Sequence, residues 1–163
     1  ERPCLGWRKR CDNGIFSDEY SWLSYAHTGQ IVKEFGAGLE TLRVQTNQSD
    51  SGVTTPPFVG CLGAVCVPWI ITDYACAYKG LPVVLMHRAT SAAQLSHLLR
   101  AVDVWALVVS KHLSAVVTAA ASGANVKHLI WIDDDADAYA LQNDTSLPIA
   151  EAQTRDDWCN HTW

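Results

Sequence analysis

The hydrophobic positions between residues 58 and 132 alternate between two periods. Continuous apolar runs occupy residues 58–67, 81–87, 105–110 and 128–132, and such runs predict strands that are buried on both faces. Between these runs, apolar residues recur at the i, i+3, i+4 spacing of one helix face. Because right-handed helical crossovers join parallel strands into one layered sheet, the pattern predicts the α/β class, an open doubly wound parallel sheet with flanking helices.

Local signals define the predicted helices of this region. Pro68 suits a first helical turn, and Gly80 suits the end of the same helix. Ser91 and Gln94 form a capping box ahead of the second helix. The predicted buried faces are, helix by helix, Ile71, Tyr74, Ala75 and Tyr78; Leu95, Leu98, Leu99 and Val102; and Leu113, Val116, Val117 and Ala120. On this assignment Leu98→Ala is expected to cost about 2–5 kcal/mol of stability.

The chain before residue 58 follows a different pattern. Segments 5–10 and 20–24 indicate two short strands on either side of the turn Asp12-Asn13-Gly14, which together predict a β-hairpin. After residue 133 the chain is acidic and only weakly periodic. The predicted parts are therefore a hairpin, helix and loop in 1–57, the βα repeats in 58–133, and an acidic irregular segment in 134–163.

A helix is predicted to follow the hairpin. Ser24 is placed to cap it, and a polar loop from Gln45 to Pro57 leads on to the first strand of the repeats. Its predicted buried face is Ile31, Phe35, Leu39 and Leu42. Gly36 and Gly38 lie inside this helix, where each costs about 1 kcal/mol relative to alanine, and they therefore predict close packing. They precede the strand and lack a third glycine, so packing explains them better than a dinucleotide fingerprint.

Composition limits the function classes. The chain has 163 residues, of which 48% are hydrophobic, and this suits one domain rather than a disordered segment. No apolar run reaches the roughly 18–20 residues of a membrane span, and a net charge of -5 argues against nucleic acid as a partner. The six cysteines form no C-x-x-C pair, which favours reduced thiols in an intracellular protein over a metal site.

The predicted strand ends carry the candidate chemistry, because ligands of doubly wound sheets gather there. These ends carry His87 with Arg88, Ser110 with Lys111, and the aspartates Asp133 to Asp135. Arg88 and Lys111 are candidates for an anion and the aspartates for Mg²⁺, but polar residues occur wherever strands meet loops, and this solvated role explains them better. An exposed cation contributes about 1 kcal/mol or less, whereas millimolar affinity needs about 4 kcal/mol. We therefore assign no catalytic, cofactor-binding or metal-binding residue, expect Arg88→Ala to change stability little, and expect ATP to bind more weakly than millimolar.

Several segments match a known family in the right order. They are Pro3-Cys4-Leu5-Gly6-Trp7-Arg8, Tyr20-Ser21-Trp22-Leu23-Ser24-Tyr25, Gly36-Ala37-Gly38-Leu39, Pro68-Trp69-Ile70-Ile71-Thr72-Asp73-Tyr74-Ala75-Cys76, Gly80-Leu81-Pro82-Val83-Val84 and Val126-Lys127-His128-Leu129-Ile130. Together they resemble the amino-terminal part of long-chain fatty acyl-CoA synthetases, members of the adenylate-forming (AMP-binding) superfamily. Two stretches depart from the family: residues 85–90 stand where it has P-L-Y-D-T-L-G, and residues 66–69 stand where it has N-R-P-E-W.

The resemblance implies that residues 1–163 are part of a larger adenylate-forming domain. The parent enzyme would activate a fatty acid with ATP and Mg²⁺ to an acyl-AMP and transfer the acyl group to CoA. In the family the phosphate loop and the catalytic lysine lie further along the chain, so this portion alone is expected to be inactive and to bind no cofactor. The implied location is intracellular, in the cytoplasm or peripheral on an organelle membrane.

Two alternatives stay open at this point. One is a free-standing flavodoxin-like or receiver-like domain that binds a small ligand, and the other is a non-catalytic interaction module. The absence of Met at Glu1 and the irregular end at Trp163 favour a fragment, whose uncovered surface would promote self-association. A Ser/Thr/Gly-rich loop ending in Pro-Lys beyond Trp163 would favour the ligase.

Overall fold

The computed structural model describes residues 2–11, 15–47, 58–121, 123–132 and 152–154. In chain order the elements are β1 (Pro3–Arg10), β2 (Phe16–Ser24), α1 (Tyr25–Asn47), β3 (Phe58–Gly63), α2 (Val67–Lys79), β4 (Val83–His87), α3 (Ala92–Val102), β5 (Val104–Ser110), α4 (Ser114–Ala121), β6 (His128–Ile132) and β7 (Ala152–Thr154). A single 3-10 turn at Lys111–Leu113 joins β5 to α4. The first predicted strand of the repeats is therefore shorter than expected, because residues 64–66 connect β3 to α2.

The main sheet has the strand order β4-β3-β5-β6-β7. Strands β3, β4, β5 and β6 are parallel, and this confirms the predicted α/β class with a doubly wound parallel sheet. The strand β7 was not predicted, and it pairs antiparallel with β6. Only three residues form it, too few for a strand period to be visible in the sequence. The direction in which successive strands are added reverses between β3 and β5, so the topological switch point of the sheet lies between these two strands.

Helices cover both faces of the sheet. Consecutive strand residues point to opposite sides, so Cys61 and Val108 pack with α1 and α2 in one core cluster. Their neighbours Leu62 and Val109 pack with α3 and α4 in a second cluster. Every residue of β5 is buried, because this strand is central in the sheet and covered on both faces. The continuous apolar runs in the sequence reflect this double coverage.

The buried face of α2 differs from the predicted one. Tyr74 and Tyr78 are 47% and 57% exposed, so their assignment to the core was wrong. The buried residues of α2 are Val67, Pro68, Ile71, Thr72, Ala75 and Cys76. On the helix surface this buried face is centred between Ile71 and Thr72. Both tyrosine rings lie at its solvent-exposed border. Tyrosine suits such a border, because its ring is apolar and its hydroxyl stays hydrated.

The buried face of α3 is narrower than predicted. Leu95 and Leu99 have no exposed surface, whereas Leu98 and Val102 are only partly buried against the same cluster. The capping box is confirmed, because the Gln94 amide donates to Ser91 Oγ at 3.4 Å and the Gln94 side chain accepts from the Ser91 amide at 3.0 Å. The stability loss of about 2–5 kcal/mol is therefore expected for Leu99→Ala rather than for Leu98→Ala.

The hairpin forms a separate two-stranded sheet beside α1. Trp22 lies across the strand pair from Gly6, and its ring fills the space that a side chain at Gly6 would need. The side chain of Arg8 reaches back over β2 and donates to the Phe16 carbonyl and the Asp18 carboxylate, both at 3.3 Å. The hairpin is confirmed, although β2 begins at Phe16, and the predicted turn at residues 12–14 lies outside the described residues.

The helix α1 is capped as predicted, since the His27 amide donates to Ser24 Oγ at 3.2 Å. Close packing is confirmed at Gly36, where a methyl group would lie 3.1 Å from Lys79 Cγ of α2. The expectation of close packing is wrong at Gly38, where an added Cβ atom would face open space. Within the described ranges, no helix is both long and apolar enough to span a membrane.

We expect Gly38→Ala to raise the free energy of unfolding by about 0.5–1 kcal/mol, because alanine loses less backbone entropy in a helix and meets no neighbour at this position. Urea denaturation followed by circular dichroism measures the change. The matched variant Gly36→Ala should gain less, because its methyl group would crowd Lys79. Equal gains at the two positions would contradict the packing described for Gly36.

Candidate functional site

The carboxyl ends of the parallel strands bring the predicted candidates to one edge. His87 of β4 pairs with Gly63 of β3, and Ser110 of β5 pairs with Ile132 of β6. Gly63 and Ser110 are direct neighbours across the switch point. The order His87, Gly63, Ser110, Ile132 therefore runs along the edge where ligands of such sheets bind. The aspartates 133–135 follow β6 and lie outside the described residues.

Arg88 and Lys111 follow strands that are not neighbours. Both side chains are exposed, and β3 lies between their strands, so their chain positions are about 10 Å apart. His87 closes a turn in which its Nδ1 accepts the Ala89 amide at 3.1 Å. That bond leaves the proton on Nε2, so the exposed side of the ring is a donor. The edge offers cations and donors, but Arg88 and Lys111 do not form one clamp.

Ser110 is the buried polar residue of this edge. It has no exposed surface, and its Oγ has no hydrogen-bond partner among the residues that the structure describes. The hydroxyl fits only because Gly63 lacks a side chain, since a methyl group there would overlap Ser110 Oγ. The sequence pattern places Ser110 at a strand end but does not indicate its burial, which depends on which strands become neighbours.

The helices α2 and α3 both begin at this edge, and their first turns differ. The amino terminus of α3 is closed by Ser91 and Gln94. The terminus of α2 has Cys66 at the capping position, where it makes no side-chain capping hydrogen bond, and Pro68 follows in the first turn. In the same turn, the indole Nε1 of Trp69 is buried without a hydrogen-bond partner. Of these two helices, α2 is the one whose terminal amides no side chain caps.

A polar cluster that the sequence did not reveal lies at the opposite, amino-terminal end of the sheet. The Thr46 hydroxyl donates to the Leu42 carbonyl at 2.8 Å, so its oxygen must accept from His128 Nε2, also at 2.8 Å. The Trp105 and His128 rings meet edge to face, with centroids 5.3 Å apart. His128 Nδ1 then carries a buried lone pair, and it has no hydrogen-bond partner among the described residues.

The environment of His128 favours its neutral form. Burial lowers the pKa of His128 below its usual value, and the nearby charge of Lys127 lowers it further. Protonation would place a proton on Nδ1, where no acceptor receives it. His128 therefore anchors the end of α1 to the sheet as a neutral group.

We expect the chain to lose stability as the pH falls below about 6.5, the ordinary pKa of histidine. The unfolded state binds the proton first, so the contribution of neutral His128 is present above that value and is lost as the pH falls to the lower folded-state pKa. Thermal melts between neutral and mildly acidic pH measure the change. His128→Gln should flatten this dependence, whereas His97→Gln, on the exposed side of α3, should leave it in place. An unchanged slope in His128→Gln would contradict the assignment.

Cys4, Cys11, Cys61 and Cys76 are free thiols. Burial raises the pKa of Cys61, and it raises the pKa of Cys76 to about 12. Both thiols are therefore protonated and unreactive at neutral pH. Within the described part of the chain, no group of three or more histidine, cysteine or acidic side chains is arranged to hold a metal ion.

Comparison with known sequences gives consistent matches. A family model described as AMP-binding enzyme matches residues 6–161. Long-chain-fatty-acid–CoA ligase 6 of Mus musculus is 29% identical over 109 residues, which cover 67% of this chain and 14% of that protein. Palmitoyl-CoA ligase FUM16 of Gibberella moniliformis is 25% identical over 111 residues, which cover 68% of this chain and 15% of that protein. The chain thus matches only about one seventh of the length of these relatives.

Comparison with solved structures supports the same fold. The A-PCP didomain of the carboxylic acid reductase of Segniliparus rugosus, in complex with AMP, has a TM-score of 0.58 and 16% identity, covering 84% of this chain and 20% of that one. The anthranilate CoA ligase AuaEII, in complex with anthranoyl-AMP, has a TM-score of 0.54 and 17% identity, covering 86% and 25%. At these identities the likeness concerns the fold.

Proposed function

Because the chain belongs to the family of AMP-binding enzymes, we propose that it is the amino-terminal scaffold of a long-chain fatty acid–CoA ligase. The observation that carries this proposal is the match of residues 6–161 to the family model, together with relatives named as long-chain-fatty-acid and palmitoyl-CoA ligases. The layered α/β fold and its adenylate-forming structural neighbours support it.

The complete ligase would run two steps. A fatty carboxylate oxygen attacks the α-phosphorus of ATP, and pyrophosphate leaves. The thiol of CoA then attacks the acyl carbon, AMP leaves with the electron pair of the broken bond, and the thiol proton passes to solvent. Mg²⁺ offsets the phosphate charge in such reactions, but the described residues of this chain include no group arranged to hold it, so no step is assigned to them.

The contribution of this chain is structural. Its sheet presents the switch-point edge, and its two core clusters hold that edge rigid by packing α1 and α2 on one side and α3 and α4 on the other. The donors of the edge suit binding, whereas the buried thiols Cys61 and Cys76 are too weakly acidic to act as nucleophiles. The proposal therefore assigns neither thiol a catalytic role.

We expect the isolated chain to form no palmitoyl-CoA from palmitate, ATP, CoA and Mg²⁺. Mass-spectrometric detection of the thioester, against a blank without protein and a complete long-chain ligase as positive control, tests this expectation. Thioester above the blank would show that the chain carries catalytic machinery. Calorimetric titration with Mg-ATP should likewise show binding weaker than millimolar, and micromolar binding would favour a self-contained small-ligand domain instead.

The proposal extends to location and association. We propose an intracellular protein, in the cytoplasm or peripheral on an organelle membrane, on the strength of the family alone. Self-association of the isolated chain is supported by the hairpin region, where large apolar side chains are more than half exposed. They are Ile15, Phe16, Tyr20, Trp22 and Tyr25. Sedimentation velocity over a concentration series measures the association.

A further inference from the structure

Two buried polar atoms near the carboxyl ends of β3 and β5 lack a hydrogen-bond partner among the described residues. They are Ser110 Oγ, at the end of β5, and Trp69 Nε1, in the first turn of the helix that follows β3. Native proteins satisfy most buried polar groups, so each such group calls for an explanation. A tryptophan indole can only donate, and it therefore requires an acceptor.

These donors lie on the same side of the sheet as α2. Side chains alternate along a strand, and Cys61 and Val108 pack toward α1 and α2. Gly63 and Ser110, two residues further along the same strands, therefore face that side as well. Gly63 is the last residue of β3, and the short connection 64–66 leads from it into the first turn of α2.

The first turn of α2 adds main-chain donors to the corner. The helix has 13 residues and no side-chain cap at Cys66, so the amides of its first turn are directed at this end. Its dipole makes the same end partly positive. The neighbouring α3 differs, because Ser91 and Gln94 already satisfy its terminus.

We propose that this corner, defined by Gly63, Ser110 and the first turn of α2 with Trp69, binds a phosphate-type oxyanion. The main-chain amides and the Trp69 indole can only donate, and the Ser110 hydroxyl can donate as well as accept, so a ligand with acceptor atoms satisfies all of them. The helix terminus also favours a negative charge. Lys111 follows Ser110 and is exposed, which adds a cation beside the corner. Arg88, beyond β3, has no part in the site.

The affinity of the corner is set by access to the hydroxyl. Ser110 has no exposed surface, so the ligand reaches it only when the connection 64–66 gives way. That connection lies at the surface, since Val65 is 72% exposed. Because the binding-competent arrangement is a minor one, the apparent affinity falls in proportion to its population. We therefore expect binding weaker than millimolar, as for Mg-ATP. The site goes beyond the scaffold role rather than depending on it.

Titration of the ¹⁵N-labelled chain with inorganic phosphate at constant ionic strength tests the site. We expect saturable amide shifts confined to residues 63–69 and 110–111, and none in the first turn of α3, residues 92–94, where the capping box occupies the donors. Ser110→Ala should weaken binding about tenfold or more, as expected for a hydrogen bond to a charged acceptor. Acetate at equal concentration should produce smaller shifts that do not saturate.

The controls separate loss of the site from loss of the fold. Ser110→Ala removes a buried hydroxyl that has no partner, so its melting temperature should equal or exceed that of the unchanged chain. Ser96→Ala, on α3 and away from the edge, should leave phosphate binding unchanged. The proposal is overturned if phosphate produces no saturable shifts, if Ser110→Ala binds phosphate as tightly as the unchanged chain, or if acetate binds equally well.

Discussion

Leu99→Ala is expected to lower the free energy of unfolding by about 2–5 kcal/mol, the range for truncating a fully buried leucine. Leu99 has no exposed surface and belongs to the cluster that fastens α3 to the sheet. Its removal would leave a cavity between α3 and the sheet, because the surrounding side chains relax only in part. Chemical denaturation, with the unfolding slope fitted freely, measures the loss.

Leu98→Ala is the matched control for this prediction. It lies on the same helix and removes the same atoms, but its side chain is already partly exposed. We expect it to cost clearly less than Leu99→Ala, because less apolar surface is returned to water. If Leu98→Ala proved the more costly of the two, the orientation of α3 on the sheet would be wrong.

Gly63→Ala is expected to destabilise the chain by about 1–3 kcal/mol, the usual cost of overpacking a buried position. The added methyl group would overlap Ser110 Oγ at the switch point. To relieve this overlap, the serine must rotate or the two strands must separate. Both changes disturb a buried region, since Ser110 has no exposed surface. Thermal and urea denaturation of the single variant measure the cost.

Ser110→Ala should rescue Gly63→Ala. Without the hydroxyl, the nearest atom to the new methyl group is the Cβ of residue 110, at 3.6 Å, which is ordinary van der Waals contact. The double variant should therefore be more stable than Gly63→Ala alone, with a coupling of about 0.5–3 kcal/mol for residues in contact. Additive effects of the two substitutions would show that Gly63 and Ser110 are not neighbours as described.

Sequence pattern predicted the sheet and its helices because periodicity reflects burial. The apolar run 105–110 lies within β5, which is buried along its whole length, and the Ser91–Gln94 pair marked the start of α3. The buried faces of the helices were predicted less accurately than the helices themselves, as Tyr74 shows. A tyrosine at the border of a face satisfies the helical spacing while its ring remains exposed.

From the sequence, the candidate site could be located only to the edge formed by the carboxyl ends of the strands. Strand ends are visible in sequence, and they brought Ser110 and Lys111 into consideration. The burial of Ser110, in contrast, arises because β3 becomes the neighbour of β5, a contact between distant segments. The His128 cluster depends on a further tertiary detail. The register shifts between Phe58 and Val59, which leaves Trp105 as an extra residue in β5, and a bulge of this kind has no local sequence signature.

The central place of β5 also fixes how the molecule opens. Its main-chain amides are hydrogen-bonded between β3 and β6, and all seven of its residues are buried. The β1–β2 ribbon, by contrast, has no other described strand beside it, and it carries many exposed side chains. Local fluctuations release such ribbons first, whereas exchange of the β5 amides with deuterium requires the whole sheet to come apart. The slowest-exchanging amides of β5 therefore report the global unfolding equilibrium, and those of the ribbon report only local fraying.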